Sequence, residues 1–332
     1  MPSFFITAIA LLTLAILPAK NEAFAQQQTL SVLCPASLLD SKTITNFEKK
    51  KKIALRVELT TGAREFEQRL KNSANMFDVV VADENELMVL TAARLLRPLP
   101  DSRFAEKKKS PLSVPSKTQQ DARTYVNIMA DPLGLFWIDD TRTQTSPPTW
   151  DELTTMNQNP FWRGRLFLPP EPDFQMRLAL FVTGSTNLRT PPETAPDAVE
   201  WLKKARAHIR PGANQLVLEL LKKRTVAGAL WKSDYLRVRN TIPSLDFGVP
   251  QSTLFRRYGA AIVADTLREE LAFDFIDHLL AHRDDLARFA GITPLFTAGE
   301  KEPDVSKWSL FDTSIPLSIA LEKSFQAPVS KP

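Results

Sequence analysis

Between Thr29 and Ala82 three apolar runs alternate with two amphipathic ones, and few folds accept that order. TLSVLC reads as a strand, and residues 37–52 carry Leu39, Ile44 and Phe47 in a helix-like pattern. IALRVEL alternates and stops before TTG, which predicts a second strand. Thr61 or Gly62 begins the next helix, AREFEQRL, where Phe66 and Leu70 share one face. MFDVVVA is short and apolar on both faces, as a doubly covered strand must be. Strand–helix–strand–helix–strand of this kind implies an α/β fold with a largely parallel sheet flanked by helices.

The pattern continues beyond residues 97–118, a surface loop rich in Pro, Ser and Lys. YVNIMADPLGLFWID is extended and apolar. In TWDEL, Thr149 and Glu152 stand at capping-box spacing for a helix start. RGRLFLP is a strand, and DFQMRLALFVTG is a helix that ends at a glycine. Helices follow in PDAVEWLKKARAHI and from Asn214 to Lys223, then strands at VAGALWKS and Phe247 to Val249. One last helix is expected from Thr266 to Phe289, with an apolar stripe of Phe275, Ile276, Leu279 and Leu280. There is no internal repeat, and 332 residues suit two domains.

Residues 2–17 form an unbroken apolar run, followed by Ala23-Phe24-Ala25 and a polar QQQ. This predicts a secretory signal peptide, residues 1–25, although no Lys or Arg precedes the run. The run is short for a membrane span. Cys34 is the single cysteine, so no disulfide forms within the chain, and it reads as a small buried hydrophobe on the first strand. The formal charge of +4 is modest and is not a nucleic-acid footprint. The lysine runs at 49–52 and 107–109 read as solvated loops or helix ends.

Groups for catalysis are scarce. His278 and His282 are one helical turn apart beside Asp274 and Asp277, but His278, Asp274, Asp277 and Asp285 fall opposite the apolar stripe, on the side expected to face solvent. The pair also lacks the glutamate that follows the first histidine in HExxH. His208 stands alone near a helix end. No GxGxxG or GxxxxGK[ST] run offers a phosphate cradle. No catalytic residue, metal ligand or cofactor is expected. A carboxylate-based enzyme, using Asp83, Glu84 and Glu86 or Glu171 and Asp173, is the weakest alternative.

Ligands of parallel sheets lie beyond the carboxyl ends of strands. That rule selects Pro35, Thr61, Gly62, Asp83, Asn85, Asp131, Glu171, Asp173, Trp231, Lys232, Arg256 and Arg257.

FDVVVA, LLRPLP, TWDEL with FWRGRLFLP, FQMRLAL, AGALWKS and GITPL occur in an order that resembles the periplasmic substrate-binding proteins of ABC transporters, spermidine/putrescine type. The resemblance covers most of the chain after the signal. It implies the two-lobed periplasmic-binding-protein fold of type II, with a mixed, mostly parallel sheet in each lobe. The lobes would be 26–128 plus 255–298 and 129–254 plus 299–332, with a hinge near 125–135 and 245–260. It further implies a monomer in the periplasm, a small-molecule ligand between the lobes, a membrane permease as partner, and no nucleic acid.

The positions matching the family's ligand contacts have changed. Pro35 and Leu38 stand where the polyamine binders carry two aromatics, and Asp83 and Asn85 where they carry Ser and Tyr. Glu171 and Asp173 approximate the family's acidic pair, and Trp231 persists. FRRYG replaces a Trp-x-Asp whose Asp grips an ammonium group. Arginine there offers a planar fork for carboxylate or phosphate, and a helix starting near Thr61 and Gly62 adds N–H donors. The expectation is therefore a small polar ligand, anionic or zwitterionic. Polyamine binding and a non-transport sensing or structural role stay open.

Overall fold

In the computed structural model, the described residues include ten strands joined in one sheet, seven of them along a single hydrogen-bonded path and three beside it. The structure describes residues 28–35, 38–60, 63–72, 76–100, 123–138, 148–155, 164–188, 190–206, 216–290, 293–294 and 308–311. The expected signal peptide, Thr61, Gly62, the 107–109 run, His208 and most of 299–332 lie outside the described residues.

The first strands are β1 (Thr29–Pro35), β2 (Ala54–Thr60) and β3 (Val79–Asp83), and β1 pairs in parallel with both others. Three helices accompany them: α1 (Ser41–Lys51), α2 (Ala63–Asn72) and α3 (Glu84–Ala92). Asp40 caps α1 by accepting the Thr43 N–H at 2.7 Å, and Lys49, Lys50 and Lys51 fill its last turn, where the helix dipole favours cations.

Two strands run through both halves of the molecule. β4 (Tyr125–Ile138) and β8 (Thr253–Ile262) are antiparallel, with Asp131 opposite Arg256 and Ala130 opposite Arg257. β8 continues antiparallel along β3, with Asp83 opposite Tyr258. The second half of β4 pairs with β6 (Ala227–Trp231) on one side and β7 (Leu245–Gly248) on the other. Beside β6 lies the two-residue β5 (Leu166–Phe167), parallel to it. Gly228 is needed there, because a Cβ would sit 2.1 Å from the Phe167 carbonyl oxygen. Two short strands, β9 (Thr293–Pro294) and β10 (Trp308–Leu310), pair with β4 and β8.

Side-chain alternation divides the core into layers. Leu30, Val32, Val79, Val81, Ala260 and Ile262 pack on one face of the first half. They meet α1, α8 (Glu269–Ala281) and α9 (Arg283–Ala290). Leu33, Val80, Ala82 and Ala261 face the other way, onto α2 and α3. The second half repeats the scheme. Leu133, Leu135, Ala227 and Ala229 meet α4 (Pro172–Val182) and α5 (Pro196–Arg206). Phe136 and Leu230 meet α6 (Leu216–Leu221) and α7 (Lys232–Arg239). The fold is thus two α/β lobes sharing crossing strands. Among the described residues no helix is long and apolar enough to cross a membrane.

Two expectations need correction. The helix from Thr266 to Phe289 is two helices, broken at His282, whose φ of −110° and ψ of 17° leave the helical region. His278 does not face solvent. It is buried against α1, with Nε2 3.0 Å from the Thr43 carbonyl oxygen and its ring 5.2 Å from Phe47. A second helix covers the flank that one-helix periodicity assigns to water.

Candidate functional site

The site is built where β8 passes the ends of β3 and β6. Consecutive strand residues point to opposite faces, so Arg256 and Arg257 part company. Arg257 turns toward α3. Its Nε donates to Glu84 Oε2 at 2.6 Å, and both side chains are only 3% exposed. Glu84 Oε1 accepts two further bonds at 3.1 Å, from the Tyr125 hydroxyl and Asn127 Nδ2.

Arg256 turns to the opposite face, where a cavity opens. Its Nε donates to Asp131 Oδ2 at 3.0 Å, and its Nη2 lies 3.3 Å from Ser233 Oγ and 3.5 Å from Asp234 Oδ2. The guanidinium carbon stands 4.7 Å from the centre of the Trp231 ring and 5.2 Å from that of Tyr258. Asp131 is fully buried and also accepts the Ser233 N–H (3.1 Å) and hydroxyl (2.7 Å). Burial opposes the Arg256 charge, but the carboxylates of Asp131, Asp234 and Asp83 overcome it and hold the group above the ordinary arginine range. Burial lifts the Asp131 carboxyl, with Arg256 and Ser233 acting against it. Burial raises the Tyr258 phenol well above its usual value, so it stays protonated.

A cavity of about 440 Å³ opens beside Arg256. Trp231, Phe174 and Phe311 form its aromatic wall, with ring centres 5.3 to 5.9 Å apart. Glu171, Asp173 and Asp234 supply its carboxylates. Glu171 ends the extended segment before α4, where Pro172 starts the helix, and it is exposed. Asp173 accepts from Arg177 Nη2 at 3.2 Å, and Arg177 is itself fully buried and also bonded to the Leu188 carbonyl.

More carboxylates stand at the start of α3. Asp83 caps that helix through the Glu86 N–H at 3.1 Å. Burial raises its carboxyl, against the pull of Arg256. Burial and then the charge of Asp83 push Glu86 up to about 8. Asn85 Nδ2 donates to the Phe311 carbonyl at 3.3 Å, tying α3 to the segment that carries the aromatic wall.

Glu171, Asp173, Trp231 and Arg256 therefore share one cavity, while Asp83 and Asn85 approach from α3. Two other positions read as ligand contacts lie elsewhere, Leu38 and Arg257. Leu38 is completely buried in the core beneath α1, as its apolar side chain dictates. Arg257 is consumed by Glu84 on the opposite face. Pro35 ends β1 and accepts the Leu38 N–H through its carbonyl. Lys232 opens α7, half-buried, with burial lowering its pKa against the pull of Asp131. Sequence reasoning left out Phe174, Asp234 and Phe311. Asp234 had a signal, an acid in the first helical turn beyond a strand end. Phe311 had none, since its tail lacks periodicity. Among the described residues no group of three or more His, Cys, Asp or Glu side chains is placed to hold a metal ion.

A family model described as bacterial extracellular solute-binding protein matches residues 42–312. Solved structures with the same fold include the spermidine/putrescine ABC transporter substrate-binding protein PotD of Streptococcus pneumoniae, in complex with calcium and HEPES. It is 16% identical, with 86% of this chain and 93% of that one covered, at a TM-score of 0.70. Iron-bound HitA of Pseudomonas aeruginosa is 15% identical over 83% and 89%, at 0.59. The Atu4243–GABA receptor is 14% identical over 81% and 83%, also at 0.59. At such identities the likeness extends to the fold alone. No curated protein matches the chain in sequence.

Proposed function

We propose a capture role for this chain, which belongs to the bacterial extracellular solute-binding protein family. It takes up a small solute between its lobes in the periplasm and presents it to the permease of an ABC importer. The lobes are 26–128 plus 255–298 and 129–254 plus 299–332, closing about the crossing strands β4 and β8. Hinge closure of this kind converts binding into a shape that a partner can read.

Within that role, we assign the solute to small organic molecules that carry a positive group and an apolar body, either amines or zwitterions. One observation carries this reading: the cavity is walled by Trp231, Phe174 and Phe311 and bears Glu171, Asp173 and Asp234. A cation leaving water needs an opposed carboxylate or a π face, and this wall supplies both. A purely anionic ligand has weaker support than the arginine pair suggested. Arg257 faces away, and the Arg256 fork is already turned on Asp131 with Asp234 beside it.

Calorimetric titration of residues 26–332 tests the reading, with primary amines, amino acids, dicarboxylates and inorganic phosphate as probes. Amine or amino-acid binding that weakens in Glu171→Gln and Asp234→Asn is expected. Dicarboxylate or phosphate binding that survives both substitutions and disappears in Arg256→Ala would replace the cationic assignment with an anionic one.

A further inference from the structure

The surroundings of Arg256 form a complete receptor for a cation. Two ring faces, Trp231 and Tyr258, lie within about 5 Å of the guanidinium carbon, inside the range where a quadrupole attracts a cation. Two carboxylates, Asp131 and Asp234, and the Ser233 hydroxyl contact its nitrogens. The cage is nearly dry: Asp131, Ser233, Trp231 and Tyr258 are buried, and only 18% of the Arg256 side chain is exposed. It opens directly onto the proposed solute cavity, because Trp231, Asp234 and Arg256 line both.

We propose that Arg256 is a built-in cation that occupies this cage and sets the specificity of the cleft by allowing the solute only one positive group. The physical reason is local charge. Asp131 and Asp234 are engaged by the chain's own guanidinium, so a second ligand ammonium entering beside it meets a like charge without a carboxylate of its own. Of the other cavity carboxylates, Asp173 already accepts from Arg177 at 3.2 Å, so a solute's positive group meets exposed Glu171. A monocation can place its charge there and its apolar part along Phe174 and Phe311. A molecule charged at both ends must set its other end against Arg256.

The comparison of pentylamine with 1,5-diaminopentane tests this, and it rests on the amine reading above. Wild type should bind the monoamine at least about tenfold more tightly, and Arg256→Ala should reverse the preference. Equal or tighter binding of the diamine by wild type would overturn the proposal. The cage itself is tested independently of any solute. Ethylguanidinium at millimolar concentration should raise the melting temperature of Arg256→Ala saturably and by more than it raises that of wild type, and this excess should vanish in Arg256→Ala with Asp131→Asn. If the alanine variant folds only when ethylguanidinium is present, the cage is equally supported. If it ignores ethylguanidinium, the cage is refuted. Absence of amine binding by wild type, with ethylguanidinium rescue intact, would sink the solute assignment and the single-charge rule but leave Arg256 as the cage's occupant.

Discussion

Arg256 and Arg257 are consecutive residues of one strand, yet they bury their charges in two different regions. Arg257 sits in dry protein between β8 and α3, paired with Glu84, which also accepts from Tyr125 and Asn127. Arg256 sits at the edge of a cavity, between aromatic faces, with Asp131 behind it and space in front. The first arrangement leaves nothing for a visitor to contact. In the second, a charge is held where a ligand must pass. The difference teaches that a basic residue in a binding cleft is informative only once its partner is known.

The sharpest way to break this comparison is to remove each arginine. Arg257→Met should destabilise the protein by about 3–5 kcal/mol, because Glu84 would remain buried and charged without a partner. Adding Glu84→Gln should recover most of that loss while keeping an acceptor for Tyr125 and Asn127. Urea unfolding monitored by circular dichroism measures both, and an undiminished loss in the double variant would show that packing, not charge, holds this region.

Arg256→Ala should cost less, about 2 kcal/mol, since Asp131 keeps two bonds from Ser233 and the cavity admits water. The same unfolding experiment compares the two. A loss as large as that at Arg257 would erase the distinction between a dry pair and a cleft pair.

A further effect concerns pH. Glu86 is raised to about 8 in the folded protein, against an ordinary carboxyl near 4.5 when unfolded. Between those values the folded state binds the extra proton, so stability declines as pH rises through that window. Glu86→Gln should flatten the decline in melting temperature between pH 5 and pH 8 and leave the acid end unchanged. A decline of the same slope in the variant would assign it to other groups.

Much of the fold was legible from short-range pattern. Leu30, Val32 and Cys34 against Leu33 mark a strand covered on both faces, and Phe66 with Leu70 marks a helix seated on one of them. Thr149 with Glu152 gave the start of a helical turn, and Glu152 does accept the Thr149 N–H, at 2.9 Å. Where a second element intervened, pattern misled. His278 looked exposed because the helix that covers it, α1, lies more than 200 residues earlier in the chain. Leu38 matched a ligand-contact position of the resembled family, but its apolar side chain went to the core.

The candidate site was less legible, for a reason visible in its pairs. Asp131 and Arg256 are 125 residues apart, Glu84 and Arg257 are 173 apart, and Asn85 and Phe311 are 226 apart. Composition and periodicity determine which segments are strands and helices, because those depend on neighbours along the chain. They also determine that Arg256 and Arg257 face opposite sides of a strand. Which carboxylate each arginine meets, and so whether its charge is spent or offered, was decided only when β8 was laid between β3 and β4, since electrostatic interaction depends on distance in space and not on separation in sequence.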